Sequence, residues 1–258
     1  MPLKNAEGLA LCCGMIRSAS TLQYQVVSEL VERNGLGQRA GFADPQTVSR
    51  ILKQADATPG LTVVKVHEIL PQLESRIAQG GIRAFYTFRD LRAVAVSVMR
   101  RWGIPFTQVI ARNGWLDAAV TCSNHWLSMP GVCVSRYEDM LLELPAEIGR
   151  WAGALDLSIT DTQAGELAEQ FAIDAQKERL RKMSAWQSTA PGAPDGYFDA
   201  DSPLHPEHID DGSLDAWKEK LERWQVRQIE SRFSSWLRDH GYPVGEIATR
   251  ADYTKPSC

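Results

Sequence analysis

No apolar run in the chain approaches the roughly 20 residues needed to span a bilayer. No charge sign dominates: 28 Lys plus Arg stand against 32 Asp plus Glu, a net −4 at pH 7. With an isoelectric point near 5.8, that balance argues against a coat for nucleic acid or an anionic membrane. Cysteine is scarce and oddly numbered, with five residues and no C-x-x-C pair. A disulfide framework or zinc site is therefore not expected, and a reducing cytoplasm is. The apolar stretch Leu9 to Cys13 is too short for a signal peptide. Internal repeats and low-complexity segments are absent. What remains is 44% apolar and 23% charged residues over 258 positions, which predicts one globular domain over residues 1–258.

Strand-like and helix-like segments alternate along the chain. Gly8 to Gly14 (GLALCCG) reads as a short buried strand. A polar turn follows, and then a helix with Leu22, Val26, Leu30 and Val31 on one face, closed by Asn34-Gly35. Leu61 to His67, Ile82 to Phe88 and Gly131 to Tyr137 read as further strands. Helical stretches are expected over Val94 to Trp102, up to Leu127, over Leu214 to Leu221 and over Trp224 to His240. The alternation predicts an α/β fold with a central, mostly parallel sheet flanked by helices in three layers. Residues 36–60 read as loop with a helix inside. Residues 184–213, with prolines at 191, 194 and 203, read as a functional loop or lid.

The turn after the first strand, Arg17-Ser18-Ala19-Ser20-Thr21, has the makings of an anion site. Backbone N–H groups and the positive end of a helix face whatever sits there. Arg17 adds a charge and the hydroxyls add donors. It is not a Walker A loop, because Ala19 stands at the second glycine and Ser20 at the lysine. The plainer alternative is a capping box, since Ser20 and Gln23 have its spacing.

Lys65 and His67 are two apart in a strand and share one face, while Val64 and Val66 take the other. They sit at a strand's C-terminal end, where open α/β sheets bind ligands. A histidine there can take a proton while a lysine neutralises developing negative charge. The alternative is a solvated strand end. Arg89 closes the next strand and Ser97 follows eight residues later, a pair able to clamp one phosphate. The alternative for them is a surface arginine and a helix-interior serine.

Taken in order, these segments resemble the PAPS-dependent sulfotransferases (PAPS is 3′-phosphoadenosine 5′-phosphosulfate). The Arg17 to Thr21 turn is similar to their 5′-phosphosulfate loop. Lys65-Val66-His67 is similar to their Lys-x-His, and Arg89 with Ser97 to their 3′-phosphate motif. Arg136-Tyr137-Glu138-Asp139 resembles their Tyr-Glu-Asp segment, and Gly212 to Lys218 their Gly-x-x-Gly-x-Trp-Lys segment. The resemblance runs from about residue 10 to 240 and implies a P-loop-like fold. It implies transfer of a sulfuryl group from PAPS to a hydroxyl or amine of a small-molecule or carbohydrate acceptor, with PAP (adenosine 3′,5′-bisphosphate) as product. His67 would be the base, with Lys65 and Arg17 stabilising charge. Arg17, Ser18, Ala19, Ser20, Thr21, Arg89, Ser97, Tyr137, Asp211 and Gly212 would hold the donor, with Phe171 a second candidate beside the base. No metal, nucleic acid or membrane is expected; a homodimer is left open.

Two departures stand out. Asp210 and Asp211 occupy positions where the family often has basic residues, and Asp215 replaces the segment's second glycine. A P-loop kinase of small molecules would need a lysine at Ser20, and a non-catalytic nucleotide-binding protein would not need Lys65 and His67. The acceptor pocket is expected from segments 36–60, 103–125 and 184–213. Trp102, Phe106, Trp115, Trp186 and Tyr197 are the aromatics that would line it.

Overall fold

A computed structural model describes residues 8–68, 70, 73, 76–77, 81–183 and 213–245. Five strands form one sheet: β1 (Gly8–Gly14), β2 (Gly37–Phe42), β3 (Leu61–Lys65), β4 (Ile82–Phe88) and β5 (Cys133–Arg136). Their order is β2-β3-β1-β4-β5 and all four pairings are parallel. The expected α/β architecture is what the chain adopts, with the sheet wholly parallel.

The central strand β1 explains why its sequence is an unbroken apolar run. Leu9, Leu11 and Cys13 enter one buried cluster, while Ala10 and Cys12 enter another on the opposite face. A strand covered on both sides needs apolar residues at every position. The first cluster packs β1 against α3 (Leu91–Trp102), α5 (Trp115–Leu127) and α11 (Arg223–Asp239). The second packs it against α1 (Ser20–Arg33), α7 (Leu144–Ala154) and α8 (Asp161–Gln170). The remaining helices are α2 (Val48–Ala57), α4 (Phe106–Val109), α6 (Tyr137–Leu142), α9 (Ile173–Met183) and α10 (Ala216–Lys220).

Some boundaries differ from the sequence expectation. Residues 36–60 hold an edge strand, β2, besides the expected helix. Its sequence GQRAGF is only partly buried, so it lacks the apolar signature of its neighbours. His67 lies just past β3, although Val66 N–H still bonds the Cys12 carbonyl at 2.9 Å. Cys12, Cys13, Cys122 and Cys133 are all free thiols. Among the described residues, no helix is long and apolar enough to cross a membrane.

Chain direction places the site. The β1-α1-β2-α2-β3 half builds outward on one side of β1, and β4 and β5 build on the other. The crevice where the direction reverses lies beyond the C-terminal ends of β1, β3 and β4, the usual ligand position in such sheets.

Candidate functional site

A cavity of about 870 Å³ opens at those strand ends. Gly14 ends β1, Lys65 ends β3, Arg89 follows β4 and Tyr137 follows β5; all four line it. Arg17, Ser18, Ala19, Ser20, Thr21, Ser97 and His67 line it too. The fold thus gathers every described residue that the sequence assigned to catalysis or donor binding. Asp211 and Gly212, with Asp210, lie outside the described residues.

The turn between β1 and α1 is held by β4. Ser18 Oγ donates to the Met15 carbonyl at 2.5 Å and is 2.7 Å from Thr87 Oγ1. Met15 N–H donates to the Thr87 carbonyl at 2.8 Å. Gly14 is required by this packing: a Cβ there would stand 2.2 Å from Thr87 Oγ1 and 2.7 Å from Ser20 Cβ. Arg17 and Ala19 adopt left-handed backbone at φ 64° and 63°, a conformation that costs non-glycine residues of order 1–3 kcal/mol. Ala19 is the N-cap of α1, no side chain caps the helix, and its first turn has no acidic residue. The Ser20–Gln23 capping-box alternative is therefore not what forms. The first N–H groups of α1 remain for an external anion.

Three cations converge. Arg17 Nε donates to Ser97 Oγ at 2.8 Å, although 80 positions separate the two residues. Arg89 Nη1 donates to the Arg17 carbonyl at 3.2 Å, and the guanidinium lies 3.8 Å from the Tyr137 ring centroid. The expected Arg89–Ser97 clamp is thus linked through Arg17. Both are buried, at 6% and 2% exposure, which replaces the alternative of a surface arginine. Lys65 is 2% exposed and donates to Thr21 Oγ1 at 2.6 Å, so it is no solvated strand end. Burial pulls its ammonium down to about 7, and the Arg17 charge pushes the same way.

His67 has its ring open to the cavity. The surrounding protein and the Lys65 charge nonetheless depress its pKa, while a hydrogen bond with the Gly14 backbone opposes them. The imidazole is therefore neutral at neutral pH, the form from which a general base starts. Beyond it the wall continues through Glu68, Arg101, Trp102, Trp115 and Cys122. Trp102 and Trp115 stack at 4.5 Å. Phe106, expected to line the acceptor pocket, is instead 4% exposed in the core. Among the described residues, segment 36–60 adds nothing to the wall, though Phe42 sets its ring 5.6 Å from His67. Trp186 and Tyr197 lie outside the described residues. On the other side of the turn the wall runs through Leu22, Gln25, Phe171 and Gln176. The two glutamines were missed by sequence reasoning, because nothing local marks residues 151 positions apart as partners.

A buried carboxyl braces the strand ends. Glu138 accepts from Asp90 N–H at 3.2 Å and from the Tyr242 hydroxyl at 2.8 Å. It thereby links the neighbours of Arg89 and Tyr137. Burial and the Asp90 charge push this carboxyl up to about 7.

Comparison with known proteins bears on the fold. No protein-family model and no curated protein sequence matches the chain. Solved structures do. Retinol dehydratase in complex with androsterone and inactive cofactor PAP has TM-score 0.63 and 17% identity, over 92% of this chain and 82% of that one. Retinol dehydratase with retinol and PAP has TM-score 0.60 and 17% identity, over 90% and 81%. Mouse sulfotransferase SULT7A1 complexed with PAP has TM-score 0.61 and 14% identity, over 91% and 86%. The chain has the fold of these proteins.

Proposed function

We propose that this protein is a sulfotransferase that moves the sulfuryl group of PAPS to a hydroxyl or amine of a small-molecule or carbohydrate acceptor. One observation carries the reading: Arg17, Lys65, Arg89, Ser97 and a neutral His67 all line one cavity beside an uncapped helix N-terminus. A bisphosphate with a reactive sulfuryl end needs fixed cations at two places and a base at one, and this wall supplies them. The fold neighbours solved with PAP, and in one case with androsterone and in another with retinol, support the same reading.

The residues divide the work as follows. The α1 N-terminus, Arg17 and the hydroxyls of Ser20 and Thr21 hold the 5′-phosphosulfate, while the Ser18 hydroxyl fixes the turn through Met15 and Thr87. Arg89 and Ser97 hold the 3′-phosphate. His67 accepts the proton of the acceptor O–H or N–H as the new bond to sulfur forms and the bond from sulfur to the bridging oxygen breaks. Lys65 and Arg17 balance the charge that grows on that oxygen, and PAP departs. Catalysis is positioning and electrostatics, as in phosphoryl transfer.

The direct test is ligand-induced thermal stabilisation. Adenosine 3′,5′-bisphosphate should raise the melting temperature well above 5′-AMP and above ATP with magnesium. Equal stabilisation by 5′-AMP would remove the 3′-phosphate site, and preference for ATP with magnesium would favour a kinase.

A further inference from the structure

Among the described residues, two acidic side chains line the cavity, Glu68 and Asp117, and their charges are met differently. Asp117 is paired with Arg232 and accepts from Asn113 N–H at 2.6 Å. Glu68 directly follows the base His67, is exposed, and forms no ion pair among the described residues. Consecutive Cα atoms lie only ~3.8 Å apart, and both side chains reach the same cavity. A carboxylate therefore stands beside the base with its counter-charge still to be supplied.

Helix α5 gives this half of the cavity a direction. Cys122 Sγ donates to the His67 carbonyl at 3.7 Å, so one end of the helix face touches the base. Trp115, seven residues earlier and stacked on Trp102, marks the other end. Seven residues of helix span about 10 Å. Between the two ends Ala118 and Thr121 line the cavity with small side chains, which leaves room for an apolar body. The ends differ in charge. Arg101 lies with the tryptophans, 5.6 Å from the Trp102 ring centroid, whereas Glu68 lies with His67. A cationic group is thus drawn to the His67 end and repelled from the tryptophan end, and an anionic group meets the reverse.

Resting on the sulfotransferase reading above, we propose that Glu68 selects the acceptor, an amphiphilic amino alcohol. Its ammonium pairs with Glu68, its hydroxyl meets His67, and its apolar body lies along α5 toward the tryptophans. Lys65 and Arg17 do not oppose this, because the phosphosulfate offsets their charge. Transfer goes to oxygen. An amine held as ammonium has no lone pair with which to attack sulfur. His67 takes the hydroxyl proton as the new bond from oxygen to sulfur forms, and the bond from sulfur to the bridging oxygen of PAPS breaks.

The test takes three alcohols of one skeleton, a phenyl group on a butyl chain, that differ only in the substituent beside the carbinol carbon: ammonium, methyl or carboxylate. Each is offered with labelled PAPS to the whole chain and to Glu68→Gln and Glu68→Lys, and kcat/KM is measured. Binding of adenosine 3′,5′-bisphosphate confirms that each protein is folded. The unaltered protein should prefer the ammonium alcohol to the carboxylate alcohol by about tenfold or more, with the methyl alcohol between them and the label on oxygen. That ratio should fall toward one in Glu68→Gln and invert in Glu68→Lys. A ratio unchanged in both variants would overturn the proposal, as would label on nitrogen or a methyl alcohol used as well as the ammonium one. So would a lack of transfer to all three while the bisphosphate binds. Should Glu68→Lys not fold, the ratio in Glu68→Gln decides. Failure of the unaltered protein to bind the bisphosphate would instead refute the sulfotransferase reading itself.

Discussion

Lys65 and His67 stand two residues apart, yet their surroundings give them different tasks. Burial leaves Lys65 titrating near pH 7 in the empty site. An anionic ligand binds its protonated form, so affinity for adenosine 3′,5′-bisphosphate should fall as pH rises through about 7. The ligand's phosphates ionise near pH 6 and do not account for a fall above that. Calorimetry in buffers of different ionisation enthalpy should show proton uptake on binding, and Lys65→Met should abolish it. Arg89 permits a sharper test, since its Nε has no protein partner. Arg89→Ala should weaken bisphosphate binding by about 1.5–3 kcal/mol, the scale of a charge-assisted hydrogen bond, with the melting temperature of the empty protein nearly unchanged. An insoluble variant, or one with unchanged affinity, would make Arg89 structural. At this scale the sequence reveals much, because Lys65 and His67 are two apart at a strand's end and Arg89 and Ser97 eight apart on one strand-helix unit. The Arg17–Ser97 bond and the Gln25–Gln176 pair lie hidden, since only tertiary packing brings them together.

The unit that shapes the site is β1, its turn and α1. Adding a methyl at Gly14 and removing one at Ala19 should have opposite consequences. At Gly14 there is no room: a Cβ meets Thr87 and Ser20 well inside contact distance. Gly14→Ala should cost about 1–3 kcal/mol of stability, as overpacking does, and weaken nucleotide binding further by displacing the turn. At Ala19 the methyl is already present on a left-handed backbone. Ala19→Gly should relieve that strain and leave stability equal or up to about 1 kcal/mol higher. Urea denaturation of both variants checks the pair. The same unit shows what sequence patterning can reveal. β1, β3 and β4 are legible because they are buried on both faces. The edge strand β2 is not, since Gly37-Gln38-Arg39 carries no apolar alternation, and its backbone is held partly by the Tyr24 hydroxyl, which accepts from Gly41 N–H at 2.9 Å.

Over the whole molecule, Arg92 ties the C-terminal helices to the site. Fully buried, it bonds Asp90 at 2.7 Å, Glu230 at 2.6 Å and the Pro243 carbonyl at 2.9 Å, and lies 4.0 Å from the Trp217 ring centroid. α3, α10, α11 and the segment after α11 therefore meet at one guanidinium, one helical turn from Arg89. Arg92→Met should cost about 3–5 kcal/mol, because two buried carboxylates lose their counter-charge; a denaturation midpoint unchanged from the unaltered protein would contradict this. The central claim concerns the chemistry that the assembled cavity performs. It is tested most directly by incubating the protein with PAPS labelled in its sulfuryl group and a panel of phenols, alcohols, amines and sugars. The unaltered protein should transfer label to at least one acceptor class. His67→Ala should lose transfer by ~10²–10⁴-fold, the usual worth of a general base, while binding adenosine 3′,5′-bisphosphate with unchanged affinity. Transfer that persists in His67→Ala, or label that never leaves PAPS although the bisphosphate binds tightly, would contradict it.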